Sequence, residues 1–165
     1  VPYNADFYLL ADDEACPICA DEAARDLAFI GLDRVGGWFG MDGLDAARVA
    51  GRRLRTLQHV SVEEVARSAA RGDFAIVDVR GRSEWIEGHL PGVPNIPLGY
   101  LTEHTDQLPR DRPLVLQCRS GARSAIGVSL LQARGFDNVS NMEGGFAAWS
   151  AEGHPVEREE PAPVD

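Results

Sequence analysis

Hydrophobic and polar positions alternate between two patterns from about residue 58 to residue 157. Short continuous apolar runs, of which Leu114–Gln117 is the clearest, are typical of strands that are buried on both faces of a sheet. Between these runs lie segments in which apolar residues recur at helical spacing. The alternation predicts an α/β domain with a mainly parallel sheet. The predicted strands are residues 74–79, 114–117 and 139–142, and the predicted helices are residues 61–71, 83–87, 124–134 and 145–151.

Turn-forming and capping residues separate these elements. Ser61 is followed three residues later by Glu64, which predicts a capping box at the start of the first helix. Gly135 predicts the end of the helix at 124–134. The segment 88–97 is rich in glycine and proline, and is therefore predicted to be a loop.

The beginning of the chain repeats part of the same order of elements. The sequence G-L-D-R-V at 31–35 matches G-F-D-N-V at 135–139, and the nine residues at 43–51 match those at 145–153. This weak duplication predicts a second, incomplete copy of the later domain. Its predicted strands are residues 7–11 and 35–39, and its predicted helices are residues 20–30 and 44–50.

The incomplete copy is predicted to be inactive. Superposing the strands places Asp12 where Cys118 falls, and a carboxylate cannot attack sulfur as a thiolate does. The copy lacks a counterpart of residues 60–113, so we expect exposed apolar surface on it. The acidic, proline-rich chain from Val156 onward is predicted to be disordered. The expected organisation is a partial segment at 1–57, a catalytic domain at 58–157 and a disordered tail at 158–165.

Composition and charge exclude several classes of function. The formal net charge of −10 opposes binding to a nucleic acid backbone. No apolar stretch reaches the roughly 18 residues of a membrane span, so no membrane contact is expected. Three cysteines, an odd number, indicate a reducing compartment rather than a disulfide framework, which favours the cytoplasm. Because the first residue is Val1 rather than methionine, we expect that the chain was processed or cut from a longer one.

The segment C-R-S-G-A-R-S at 118–124 is the strongest chemical signal in the chain. It lies between a predicted strand and a predicted helix, where backbone N–H groups and a helix N-terminus can surround an anion. Such a position, with nearby arginine, lowers the pKa of a thiol. The sequence therefore predicts a nucleophilic cysteine in an anion-binding loop. The predicted site residues are Cys118 as the nucleophile and Arg119, Ser120, Gly121, Ala122, Arg123 and Ser124 around the substrate.

Five motifs together resemble the rhodanese family, in its order and spacing, over roughly residues 58 to 157. The resemblance implies a central parallel sheet with helices on both faces and an active-site loop at the carboxyl end of a middle strand. It also indicates that the first part is similar to a degenerate rhodanese copy that follows a metallo-β-lactamase-fold domain in bacterial fusion proteins. The motifs are V-D-V-R at 77–80, E-W-I-E-G-H-L-P-G-V at 84–93, N-I-P-L at 95–98, C-R-S-G-A-R-S at 118–124 and E-G-G-F-A-A-W at 143–149.

The resemblance implies sulfur transfer through Cys118. This thiolate is expected to attack the outer sulfur of a donor such as thiosulfate, release sulfite and hold the sulfur as a persulfide for a thiol or cyanide acceptor. Backbone amides of 119–124 would stabilise both anions, while Arg119 or Arg123 binds the sulfonate. No general base, cofactor or metal is expected. The expected partners are the small-molecule donor and acceptor, together with an upstream metallo-β-lactamase-fold domain or a second copy of the chain.

Two alternatives remain open at this point. A cysteine phosphatase needs five residues between its cysteine and arginine, whereas four lie between Cys118 and Arg123, and the smaller loop favours sulfur over phosphate. A non-catalytic sulfur carrier or docking module would contain the same loop. Its distinguishing property would be the absence of turnover with thiosulfate and cyanide.

Other chemistry-bearing residues have a structural interpretation. Asp78 and Arg80 are expected to form a salt bridge that braces the loop, and His89 to be a hydrogen-bonded structural histidine. Cys16 and Cys19 form C-P-I-C, which suits a redox pair or half of a zinc site. The other half of such a site is not recognisable, so two free thiols are the simpler interpretation.

Overall fold

The computed structural model describes residues 7–10, 35–39, 41–51, 56–69 and 71–159. The chain divides into two compact units, residues 1–55 and residues 56–165. The described part of the first unit consists of two parallel strands, β1 at Phe7–Leu10 and β2 at Val35–Phe39, and helix α1 at Met41–Val49.

These three elements agree closely with the sequence predictions. The bounds of β2 are those predicted, β1 ends one residue earlier, and α1 begins three residues before the predicted start. The predicted helix at 20–30 lies outside the described residues, as do Asp12, Cys16 and Cys19.

The second unit is built around a parallel sheet of four strands in the order β3-β6-β5-β4. This arrangement of strands and helices confirms the predicted α/β fold. Its strands are β3 at Gln58–Val60, β4 at Ala75–Asp78, β5 at Leu114–Gln117 and β6 at Val139–Met142. Its helices are α2 at Val62–Ala69, α3 at Arg82–Glu87, α4 at Ala122–Ala133 and α5 at Gly145–Ala151, with 3-10 turns at Leu98–Tyr100 and Thr105–Gln107.

Hydrophobic side chains cover both faces of this sheet. On one face Leu114 and Leu116 pack with Val128 and Leu131 of α4. On the other face Val115 packs with residues of α2 and with Trp149 of α5. Because the strands are parallel, their carboxyl ends lie at one edge of the sheet, where α/β folds hold their ligands.

Helix α4 lies very close to the middle of the sheet. Gly127 makes this possible, since a Cβ at this position would lie 2.8 Å from Leu116 Cδ1. The inward-facing residues are Ser124, Gly127, Val128 and Leu131. Ile126, expected from its hydrophobicity to be available for the core, is 55% exposed because it lies on the opposite side of the helix.

The start of α2 shows the predicted capping box. The Ser61 Oγ accepts a hydrogen bond from the Glu64 N–H at 3.2 Å, and the Glu64 carboxylate accepts one from the Ser61 N–H at 3.2 Å. Strand β3 was not predicted, because Val60 is the only apolar residue in this short edge strand. None of the described helices has the length and apolar character needed to cross a bilayer.

The expectation of a disordered tail is wrong for the four residues that follow Pro155. Glu157 forms an antiparallel bridge with His89 through backbone hydrogen bonds of 2.8 and 2.9 Å. Val156 packs into the core beneath Phe146 and Gly88, and the Glu159 carboxylate accepts a hydrogen bond from Arg82. Acidic and proline-rich composition does not predict disorder here because neighbouring backbone groups supply partners.

A proline at position 157 tests whether this bridge holds the tail. Glu157→Pro removes the N–H that donates to the His89 carbonyl. His89 is only 4% exposed, so its carbonyl would lose a partner inside the domain. We expect its free energy of unfolding to be about 1–3 kcal/mol lower than that of Glu157→Ala. Urea unfolding of both variants measures the difference, and equal stabilities would show that the bridge does not hold the tail.

Candidate active site

Cys118 directly follows β5 and forms the floor of the loop 118–124. Its side chain is 1% exposed and contacts the hydrophobic core. Two groups point at its sulfur: the Gly121 N–H donates to Sγ at 3.2 Å, and the Ser124 hydroxyl donates at 3.3 Å. The thiol is thus buried among inward-facing donors rather than among apolar groups alone.

The first turn of α5 fixes the loop from behind. The Phe146 N–H donates to the Cys118 carbonyl at 2.7 Å, and the Ala147 N–H donates to the Arg119 carbonyl at 2.9 Å. In a trans peptide the N–H points away from the preceding carbonyl, so the hydrogen bond to the Arg119 carbonyl turns the Ser120 N–H away from α5, and this N–H is one of those that lower the pKa of Cys118. The backbone of α5 therefore holds the first two peptide groups of the loop in place.

Gly145 permits this close approach of α5 to the loop. Its φ is +58°, and a Cβ at this position would overlap the Cys118 carbonyl oxygen and lie 2.8 Å from the Arg119 carbonyl carbon. Only glycine combines this backbone conformation with the required space. The motif at 143–149 therefore contributes to the site through its backbone, a role that the sequence analysis did not assign.

Helix α4 begins immediately after Gly121, at the mouth of the loop. Gly121 has a φ of +98°, and its carbonyl accepts the first helical hydrogen bond, from the Ala125 N–H at 3.0 Å. The predicted start at Ser124 is two residues late because the chain turns at Gly121. The twelve-residue helix directs the positive end of its dipole towards Cys118.

These donors lower the pKa of the Cys118 thiol. Burial alone raises this pKa, but the Ser124 hydroxyl and the backbone N–H groups of Ser124, Ser120 and Gly121 together outweigh it. A thiolate with several hydrogen-bond donors around it is the reactive form of cysteine. The loop can therefore supply a nucleophile without a neighbouring base.

The Ser124 hydroxyl has one proton and two acceptors within reach. Its oxygen lies 3.3 Å from Cys118 Sγ and 3.2 Å from the Gly121 carbonyl oxygen. When the sulfur carries a negative charge, it is the stronger acceptor and takes this proton. Ser124 is thus suited to stabilise an anionic sulfur.

The two arginines of the loop differ in their surroundings. The Arg119 side chain is exposed, and within the described part of the chain no hydrogen bond or ion pair holds its guanidinium. Arg123 forms a two-pronged ion pair with Glu84 of α3, with N–O distances of 2.6 and 2.8 Å. Glu84 opens the motif at 84–93, but no local pattern in the sequence marks it as a partner of Arg123.

The ion pair changes the charge state of both partners. The hydrogen bond from Arg123 lowers the pKa of Glu84 to about 2, and further contributions come from the Gly81 N–H and the charge of Arg80. The hydrogen bond to Glu84 raises the pKa of Arg123. Both side chains therefore remain charged over the physiological pH range.

Asp78 and Arg80 form a buried salt bridge at the end of β4. The Arg80 guanidinium donates to both carboxylate oxygens, and the shortest N–O distance is 2.6 Å. Arg80 also donates to the Gly88 carbonyl at 2.7 Å, and its guanidinium lies 4.2 Å from the centre of the Phe146 ring. The pair thus connects β4, the loop after α3 and the beginning of α5.

The remaining candidates lie away from the sulfur or outside the described residues. His89 is buried, stacks on Trp85 at 3.6 Å, and its Nδ1 lies 2.8 Å from the Trp85 carbonyl oxygen. His104 contacts the Tyr100 carbonyl, and His154 contacts the Glu152 carboxylate. In the part of the chain that the structure describes, no three His, Cys, Asp or Glu side chains are grouped as metal ligands.

The sequence pattern of the rhodanese-like domain matches residues 61–152. The chain belongs to the rhodanese family. The matched region contains all of α2 to α5 and the whole 118–124 loop.

Two of the similar proteins are named as sulfurtransferases. A sulfurtransferase from Allochromatium vinosum is 34% identical over 90 residues, which cover 54% of this chain and 84% of the relative. The thiosulfate sulfurtransferase GlpE from Shewanella oneidensis is 32% identical over 96 residues, which cover 58% of this chain and 95% of the relative. Both names identify sulfur-transferring members of the family.

Solved structures show the same fold. A rhodanese-related protein from Thermoplasma volcanium aligns with a TM-score of 0.58 at 31% identity, covering 62% of this chain and 99% of that protein. A rhodanese-like domain protein from Staphylococcus aureus aligns with a TM-score of 0.57 at 28% identity, covering 63% of this chain and 100% of that protein. Both agree with the predicted sheet and its flanking helices.

Substitution of Gly145 tests the support of the loop by α5. Gly145→Ala forces a Cβ against two carbonyl groups, and we expect a loss of roughly 2–4 kcal/mol in stability together with slower alkylation of Cys118. Gly153→Ala is the matched control, since Gly153 has a φ of +77° but open space around it. Alkylation as fast as that of the parent chain in Gly145→Ala would contradict the assigned role.

Substitution of Ser124 tests the stabilisation of the thiolate. In Ser124→Ala the hydroxyl that lowers the pKa of Cys118 is gone, so the pKa rises and a smaller fraction is thiolate at neutral pH. We expect alkylation by iodoacetamide to slow about fivefold at neutral pH, with its pH profile displaced to higher pH. Ser120→Ala, which keeps the backbone N–H, should change little; equal effects of both substitutions would contradict the assignment.

Proposed function

We propose that this protein is a sulfurtransferase that carries a sulfane sulfur on Cys118. The observation that carries the proposal is the low-pKa thiol surrounded by N–H and O–H donors at the end of a central strand. The names of the relatives from Allochromatium vinosum and Shewanella oneidensis support it. Thiosulfate serves as the donor in this proposal, and a thiol or cyanide as the acceptor.

The reaction proceeds in two displacements at sulfur. The Cys118 thiolate attacks the outer sulfur of thiosulfate, a new S–S bond forms, and the S–S bond of the donor breaks as sulfite leaves with the electron pair. The acceptor then attacks the outer sulfur of the persulfide, and the electron pair of that S–S bond returns to Cys118. No external oxidant or reductant takes part.

The loop supplies a distinct contribution to each step. The N–H groups of Ser120, Gly121 and Ser124 stabilise the negative charge on the sulfur before attack and on the persulfide after it. Arg119 and Arg123 are the cations of the loop that can bind the sulfonate end of the donor. Asp78 and Arg80 keep the end of β4 and the start of α5 in place around this chemistry.

The proposal extends to the rest of the chain. In the first unit, a parallel pair of strands followed by a helix has the order of β5, β6 and α5, which supports an incomplete rhodanese-like copy. Such a copy suits an upstream metallo-β-lactamase-fold domain or a second copy of the chain as its partner. The odd number of cysteines and the need for a free thiol support a reducing compartment such as the cytoplasm.

Formation of thiocyanate from thiosulfate and cyanide tests the activity directly. We expect turnover by the parent chain and a loss of at least about a thousandfold in Cys118→Ser, because a serine hydroxyl is not ionised at neutral pH. Ser120→Ala should retain most of the activity. Intact-mass measurement after exposure to thiosulfate should show an adduct of one sulfur in the parent chain and none in Cys118→Ser.

Two experimental outcomes would indicate a different function. An adduct of one sulfur without thiocyanate formation would indicate a sulfur carrier or docking module. Hydrolysis of an aryl phosphate that depends on Cys118 would indicate a phosphatase despite the four-residue spacing to Arg123.

A further inference from the structure

The Arg123 guanidinium forms an ion pair with Glu84 that leaves some of its N–H groups free. NH1 donates to Glu84 Oε2 at 2.6 Å, and NH2 donates to Glu84 Oε1 at 2.8 Å. A guanidinium has five N–H groups, so the ion pair uses two and leaves three. The Arg123 side chain is 39% exposed, so an anion can reach the remaining donors.

Glu84 itself is held in place. It lies in the first turn of α3, and its Oε2 also accepts a hydrogen bond from the Gly81 N–H at 3.3 Å. Helix α3 is in turn connected to the C-terminal segment through Arg82 and Glu159. The carboxylate is therefore a fixed point against which a flexible arginine side chain can be oriented.

The Cys118 thiolate is the competing anion for Arg123. Both residues belong to the same loop, and the charges of Cys118 and Asp78 act on Arg123 in addition to that of Glu84. An arginine without a fixed partner would be drawn to the thiolate. Direct pairing would cover the sulfur and lower its reactivity towards a donor.

We propose that Glu84 is a positioning residue, which holds Arg123 at the rim of the loop and prevents its guanidinium from pairing directly with the Cys118 thiolate. In this position the free N–H groups of Arg123 contact the anionic donor, and the sulfur remains open to attack. This inference rests on the proposed sulfur transfer for its substrate, but its effect on the thiolate is independent of turnover.

Glu84→Gln gives the central test, made in the 165-residue chain. The substitution keeps the size of the side chain and removes its charge. Arg123 would then pair with the sulfur, so the pKa of Cys118 should fall and alkylation by iodoacetamide at high pH should slow. The KM for thiosulfate should rise about tenfold, which corresponds to the loss of one charge-assisted hydrogen bond. A role limited to stiffening the loop predicts the opposite sign, because a loosened loop loses donors and the pKa of Cys118 rises.

Glu87→Gln is the matched control. Glu87 lies in the same helix, three residues further along the chain, and its exposed side chain makes no ion pair with Arg123. This variant should behave as the parent chain in the pH profile of alkylation and in its KM. Circular dichroism of both variants establishes that they are folded.

A double substitution decides whether Glu84 acts through Arg123. Arg123→Gln alone should raise both the pKa of Cys118 and the KM for thiosulfate. Adding Glu84→Gln to Arg123→Gln should then cause no further rise in KM, because no guanidinium remains to move. A full additional rise in the double variant, or a higher pKa of Cys118 in Glu84→Gln alone, would overturn the inference.

The thiolate measurement separates this inference from the proposed function. If the parent chain does not turn over thiosulfate, the proposed function fails, but ultraviolet absorbance of the thiolate still reports the direction of the pKa change. A lower pKa together with slower alkylation at high pH in Glu84→Gln, both abolished in the double variant, would then support the positioning role, because loss of the Glu84 charge alone would lower the pKa without slowing alkylation. A higher pKa would reject it.

Discussion

Two backbone hydrogen bonds from the first turn of α5 set the geometry on which the site depends. The N–H groups of Phe146 and Ala147 donate to the carbonyls of Cys118 and Arg119, and these bonds hold the first two peptide groups of the loop in place. Gly145 makes the approach possible because it has no Cβ. The Ser124 hydroxyl and three backbone N–H groups lower the pKa of the thiol, so its reactivity depends on the fold as well as on the side chains of the loop.

Element bounds were predicted best where the local sequence pattern alone determines the helix or strand. Strands β5 and β6 and helix α5 have their predicted bounds, because β5 and α5 are compact apolar patterns and the apolar ends of β6, Val139 and Met142, are bordered by residues that stop the strand. Strand β3 is polar and short, and its pairing with β6 alone makes it a strand. The tail at 156–159 forms part of the domain for a similar reason, since its partners at His89 and Ile86 are about seventy residues earlier in the chain.

Chemistry was harder to predict than fold, because it depends on contacts between distant residues. Cys118 and its loop could be selected from local sequence, since a strand, a glycine and a helix follow one another there. Glu84 could not be assigned a role, because Arg123 lies 39 residues away and no periodic pattern connects them. The role of Gly145 could not be predicted for the same reason, because the space that its missing Cβ leaves is visible only when α5 is packed against the loop.

The burial of Cys118 replaces water by protein groups as the immediate surroundings of its sulfur. With only 1% of the residue exposed, a negative charge on Sγ is balanced by the Gly121 N–H and the Ser124 hydroxyl. Dissolved salt screens buried charges much less than charges on the surface. The ionisation of this thiol should therefore vary less with ionic strength than that of a cysteine in an exposed loop.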